Sequence, residues 1–226
     1  MNLHLKSSIV NLQSAISITG SKSETNRLLL LQALYPNLIL ENTSNSDDSE
    51  VMAKALSTDS KTDLVEVHHA GTAMRFLTAF FAIQENREVV LTGSSRMKER
   101  PIKILVDALR QLGAEISYEE NEGFPPIRIK GKKLIQNKVS LPANVSSQYI
   151  SALLLIAPKL ENGLELTLEG EITSVPYIKM TLSLLNEIDV ETSFVGNKIT
   201  VKSLSLIPNP LSLIVESDWS SASYFY

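Results

Sequence analysis

A chain of 226 residues with 43% hydrophobic and 20% charged residues has the composition of an ordinary globular protein, with length for one large or two modest domains. It contains no cysteine, which excludes disulfides, thiolate nucleophiles and cysteine-ligated metals, and its formal net charge of -4 argues against a nucleic-acid surface, which needs a basic excess. No apolar run approaches the roughly 18 residues of a membrane span, and the opening MNLHLKSSIVNLQ lacks the cationic start and apolar block of a signal peptide, so a cytoplasmic protein without membrane or nucleic-acid partners is expected.

Residues 1–20 alternate like a strand, ending in AISITG. One phrase then recurs three times: a Ser- or Gly-bearing start, an apolar helix, a strand, a second helix and a hairpin. In the first copy SKSETNRLLLLQAL, LILEN and SDDSEVMAKALS predict helix, strand and helix, with DLVEVHH as a reduced closing strand. In the second, GTAMRFLTAFFAI is the helix, REVVLTG the strand and PIKILVDALRQLG the second helix. AEISYEE, a turn near Gly123 and PIRIKG form its hairpin. The third copy reads SSQYISALLLIAPKL, LELTLEG, VPYIKMTLSLLNEI, then VETSF and KITVKS about a turn at Gly196 and Asn197. After residue 210 a strand and a fourth Ser-rich helix start begin, and the last helix is cut about one turn after its cap, so a fragment of a two-domain protein is expected.

Two patterns carry chemistry. Each leading helix starts at a hydroxyl or glycine (Ser23, Gly71 and Thr72, Ser146 and Ser147), residues suited to capping free backbone N–H groups. If the three copies pack about a pseudo-threefold axis, their helix dipoles converge into an anion site. Cations also crowd places that a helix dipole disfavours: Lys22 and Arg27 flank the first start, Arg75 lies one turn into the second leading helix, and Arg96, Lys98 and Arg100 precede the run beginning at Pro101. Guanidinium forks suit phosphate and carboxylate. His68 and His69, read as neighbours on a strand, face opposite sides and make no joint metal site, and the Asp47–Asp48 pair reads as a helix cap.

Taken in order, GSKSETNR, AGTAMRF, TGSSRMKERPI, VSSQYISALL, SVPYI and ESDWSSASYF resemble the signature motifs of the 5-enolpyruvylshikimate-3-phosphate (EPSP) synthase family, over nearly the whole chain. The resemblance implies an α/β fold of three βαβαββ units, an inside-out α/β barrel with helices within and sheets outside. It implies transfer of an enolpyruvyl group from phosphoenolpyruvate to shikimate 3-phosphate in aromatic amino-acid biosynthesis, with no metal or organic cofactor and with a full-length enzyme that is a monomer. It implies that Lys22, the catalytic residue, touches both substrates, that Ser23, Arg27, Ser146, Ser147, Gln148, Ser174 and Tyr177 hold shikimate 3-phosphate, and that Gly71, Arg100 and Gln148 join Lys22 around phosphoenolpyruvate. The same site takes glyphosate in the family, and Gly71 is the kind of residue tied to sensitivity. Arg75 is expected to brace the loop through an internal ion pair.

Three positions depart from the family pattern: His69 stands where Asn is common, Phe76 where Pro is frequent, and Val175 where Lys is common. The resemblance further implies that residues 1–20 and 214–226 belong to a second, incomplete domain. Residues 21–213 are then the complete one, with crossings at 19–21 and 213–217 that hinge the two. The family's catalytic carboxylates belong to that second domain, so negligible turnover is expected of these residues alone. A sister family acting on a UDP-sugar uses a loop Cys that this chain lacks, and a non-enzymatic scaffold on the same repeats is the third reading.

Overall fold

The computed structural model describes residues 17–57 and 63–223; of the strand expected at 1–20, residues 1–16 lie outside them and 17–20 are not in a strand. The first unit is α1 (Lys22–Leu34), β1 (Leu38–Glu41) and α2 (Asp47–Leu56). The second runs β2 (Leu64–Glu66), α3 (Gly71–Ala82), β3 (Glu88–Thr92), the single turn α4 (Ser95–Lys98), α5 (Lys103–Gln111), β4 (Glu115–Tyr118) and β5 (Ile127–Lys130). The third runs β6 (Lys138–Pro142), α6 (Ser147–Ile156), β7 (Leu164–Glu169), α7 (Val175–Glu187), β8 (Thr192–Val195) and β9 (Lys198–Val201). Then β10 (Leu211–Ile214) and α8 (Trp219–Ala222) follow.

Hydrophobic pattern decides which helices go inside. In α3 every residue but Thr72 is buried, and α6 is buried from Tyr149 to Ile156. Helices apolar all round have no face to offer water, so α1, α3 and α6 pack against one another. By contrast α5 buries only Leu105, Val106, Ala108 and Leu109, the one-sided pattern of an outer helix. Side chains such as Leu31, Phe76, Leu77, Ile150 and Leu153 are fully buried in the core, each stabilising by about 1.5–3 kcal/mol.

The sheets have orders β1-β10, β2-β3-β5-β4 and β6-β7-β9-β8. Among the described residues these are three separate sheets that do not close into a barrel. Each contains a parallel pair: β2 with β3 within the second unit, β6 with β7 within the third, and β10 with β1 of the first. Residues 63–69 therefore do not close the first unit. Only 64–66 are a strand, and it leads the second sheet because β2 lies parallel to β3 in register Leu64 to Val90. The equivalent leader β6 has no counterpart in the sequence reading; KVSLP alternates, but it is short and ends in Pro. Residues after 210 likewise complete the first unit's sheet before crossing.

At that crossing the two passages of chain run side by side. Ser21 N donates to Glu216 O (2.7 Å), Gly20 N to Asn42 O (2.9 Å) and Ser217 Oγ to Ile18 O (3.0 Å). A Cβ on Gly20 would overlap the Asn42 carbonyl and the Val215 side chain; only glycine lets the strands approach so closely.

Candidate functional site

Four helix starts open on one cavity of about 320 Å³. Lys22, Ser23 and Arg27 come from α1, Thr72 from α3, Ser146, Ser147 and Gln148 from the head of α6, and Tyr177 from α7. Free N–H groups and the positive ends of helix dipoles meet there. Ser146 caps α6, its Oγ accepting from Gln148 N at 3.3 Å, and Gln148 Nε2 donates to Thr72 Oγ1 at 3.0 Å, tying α6 to α3. Among the described residues no carboxylate lines the cavity, and Lys22 pairs there only with Asp48, in the first turn of α2 at 3.9 Å, a loose exposed pair of little worth in water. A larger cavity, about 490 Å³, lies between α2 and β2 among Glu50, Lys54, Leu64 and His68, where no helix start or cation cluster meets it.

Arg27 is the cavity's floor. It is 3% exposed, and its Nε donates to Thr181 Oγ1 (2.8 Å), Nη2 to Ser151 Oγ (3.0 Å) and Nη1 to Ser23 O (2.7 Å). The guanidinium lies 5.5 Å over the Phe76 ring. Neutral acceptors leave the charge uncompensated, and burial lowers the pKa to about 10. It remains a cation at neutral pH, and two of its five donors carry no bond among the described residues. Ser151 and Thr181 were absent from the sequence reading; the signal for them was a hydroxyl one turn after a site residue on an apolar helix, Ser147 to Ser151 and Tyr177 to Thr181.

Arg75 is 4% exposed and does not make the expected ion pair. No carboxylate reaches it among the described residues. Its Nη1 donates to Gly71 O (3.0 Å) and its Nη2 to Pro101 O (3.4 Å), while Tyr149 Oη donates to the same Pro101 O (2.7 Å) and its ring lies 5.9 Å from the guanidinium. Burial, and with it the nearby positive Arg100, pushes the Arg75 guanidinium below its usual range. Arg100 itself lies across the head of α3: a Cβ on Gly71 would come within 2.5 Å of Nη1 and 2.9 Å of Nη2. Gly71 thus makes room for Arg100.

The cations of residues 96–100 do not sit on the start of α5. That helix begins at Lys103, not Pro101, because the Pro101 carbonyl is taken by Arg75 and Tyr149 and Ile102 N donates to Gly123 O at 2.8 Å. Lys98 pairs with Glu120 at 2.7 Å, leaving Arg100 for the head of the neighbouring inner helix. The structure therefore brings Lys22, Ser23, Arg27, Ser146, Ser147, Gln148 and Tyr177 together, with Gly71 and Arg100 adjoining through Thr72. Ser174 stands apart, exposed at the head of α7 with φ of 57° and outside the lining. His68 and His69 lie in an exposed turn after β2, not on a strand, since the chain must swing there into α3; His68 has φ of 48°. Asp47 and Asp48 form the first turn of α2, whose cap position is Ser46. Thr72 is a lining residue that the sequence reading took only as a helix start.

A cavity ringed by four helix starts and floored by a guanidinium, with no carboxylate in its lining among the described residues, is chemically suited to an anion. The sequence model described as EPSP synthase (3-phosphoshikimate 1-carboxyvinyltransferase) matches residues 40–226, and the chain belongs to that family. It is similar to the 3-phosphoshikimate 1-carboxyvinyltransferases of Bacteroides fragilis (strain YCH46), 46% identical over 99% of this chain and 54% of the relative, and of Haemophilus influenzae (strain Rd), 40% identical over 94% of this chain and 56% of the relative. The chain thus spans about half the length of the curated relatives it matches. Among solved structures it superposes on EPSP synthase from Acinetobacter baumannii with a TM-score of 0.75 at 20% identity, over 93% of this chain and 52% of that one, a likeness in fold.

Proposed function

We propose that these residues form the shikimate 3-phosphate-binding domain of an enolpyruvyl transferase. The carrying observation is the convergence of Lys22, Arg27, Ser146, Ser147, Gln148 and Tyr177 on one carboxylate-free cavity. The phosphate is received by Ser146, Ser147 and the N–H groups heading α6, and the carboxylate by Arg27 with Ser23; Ser174 reaches the ligand only if the head of α7 moves inward. Phosphoenolpyruvate lies between Lys22, Gln148 and the head of α3, its phosphate on Arg100.

In the reaction the 5-hydroxyl of shikimate 3-phosphate gives its proton to a base as its oxygen bonds to C2 of phosphoenolpyruvate, while an acid delivers a proton to C3. The tetrahedral adduct then loses phosphate from C2 and a proton from C3, restoring the double bond. Lys22 and Arg100 offset the charge of two polyanions brought close together, so that position and electrostatics supply the rate. Proton transfer at C3 needs an acid and base, and the cavity lining contains no carboxylate; the 226 residues alone are expected to bind and to turn over negligibly. In the same reading, residues 21–213 are the binding domain, 1–20 and 214–226 belong with a second domain, and the crossings at 19–21 and 213–217 are the hinge. The working enzyme is a cytoplasmic monomer; among the described residues no helix is long and apolar enough to cross a membrane.

Calorimetric titration with shikimate 3-phosphate, and separately with a UDP-sugar, tests the proposal. Saturable binding of the first alone, accompanied by a rise in melting temperature, is the expected result. Binding of the UDP-sugar alone points to the sister chemistry, and binding of neither removes the proposal. Melting temperature is the better optical readout, since Trp219 is 79% exposed on α8 and reports little of the cavity.

A further inference from the structure

Arg100 is exposed and forms no ion pair among the described residues, yet its guanidinium lies across Gly71. A long free side chain holds one place only when the backbone beneath it is fixed. That fixing comes from one planar fork. Arg75 grips Gly71 O at the head of α3 and Pro101 O one residue beyond Arg100, and Tyr149 Oη from α6 holds the same Pro101 oxygen.

We propose that Arg75 is a positioning residue, clamping the Arg100 loop to the head of α3 with Tyr149 as its second jaw; assigning Arg100 to phosphoenolpyruvate rests on the enolpyruvyl-transfer proposal above. The clamp requires a guanidinium because two carbonyls are bonded from one rigid plane, which an ammonium cannot reproduce. Arg75 touches no substrate and acts through Arg100.

The test uses the 226-residue chain and its Arg75→Gln, Arg75→Lys, Tyr149→Phe, Arg100→Gln and Arg75→Gln/Arg100→Gln variants. Without ligand, the rate at which phenylglyoxal modifies Arg100, read by peptide mass spectrometry against Arg110 as internal reference, is expected to rise severalfold in Arg75→Gln and Arg75→Lys and less in Tyr149→Phe. With shikimate 3-phosphate saturating, phosphoenolpyruvate binding is expected to weaken about tenfold in Arg75→Gln, as loss of an aligned charged contact implies, while shikimate 3-phosphate affinity holds. The double variant should match Arg100→Gln alone, because Arg75 has nothing left to position. An unchanged modification rate overturns the clamp. So does equal loss of both ligands in Arg75→Gln, or strict additivity in the double variant, each the mark of a merely structural arginine. If the unsubstituted chain binds neither ligand, the enolpyruvyl-transfer proposal fails on its own, and the modification rate still decides the clamp.

Discussion

Arg27 and Arg75 occupy matching places one turn into two inner helices, both are nearly inaccessible, and neither has a carboxylate partner among the described residues. Their surroundings differ in kind. Arg27 is met by two hydroxyls and one carbonyl under an open cavity, so it keeps donors for a ligand. Arg75 is met by two main-chain carbonyls under a loop, so it holds protein to protein, while an aromatic ring lies against each guanidinium. Burying a guanidinium without an anion is costly; on the proposed function the anion at Arg27 is the ligand's, whereas at Arg75 two carbonyl dipoles offset part of that cost.

Substitutions can break that contrast. The largest effect is expected from Arg27→Gln, which removes two charged hydrogen bonds to the ligand: shikimate 3-phosphate affinity should fall about a hundredfold by calorimetry. Unaltered affinity would mean that the cavity is not the site. Next is Gly71→Ala, whose Cβ would stand 2.5 Å from Arg100 Nη1. The guanidinium must move, and phosphoenolpyruvate binding should weaken about tenfold while shikimate 3-phosphate binding stays; equal loss of both would assign Gly71 to the Arg27 side.

Smaller effects sharpen it. Ser146→Ala removes the cap of α6 and should cost about 1 kcal/mol, or roughly 2–4 °C in melting temperature without ligand; no change there would make Ser146 a ligand contact only. The smallest concerns Glu24 beside the crossing, which accepts from Glu216 N at 3.3 Å. Burial, with the carboxylates of Glu216, Glu187 and Asp218 near, holds its pKa above the ordinary value. A raised folded pKa favours folding at acid pH, and that contribution is lost as pH rises through it. Glu24→Gln should therefore raise the neutral-pH melting temperature by about 1–2 °C, and the gain should vanish below the ordinary carboxylate range. A gain independent of pH would disconnect it from titration.

Much of the fold could be read along the chain because local pattern and tertiary position agree. Helices apolar on every side, such as GTAMRFLTAFFA and SQYISALLLI, had to lie inside, and the turn at Gly196, with φ of 61°, follows from glycine's freedom. The weak strands were another matter. VEVHH and KVSLP gain their identity only from a parallel neighbour further along the chain, across a helix of the same unit, so one was given to the wrong unit and the other passed unnoticed.

For the site, residue type and spacing alone determined that hydroxyls and cations gather at the starts of repeated helices, because capping and charge preferences act over a single turn. Tertiary structure alone decided which cation serves which helix. Arg100 left its own segment for the head of α3, Arg27 and Arg75 took different partners, and Ser174 stayed outside the cavity. Those outcomes depend on groups far apart in the chain meeting at hydrogen-bond distance, and such encounters are fixed only when the whole core packs.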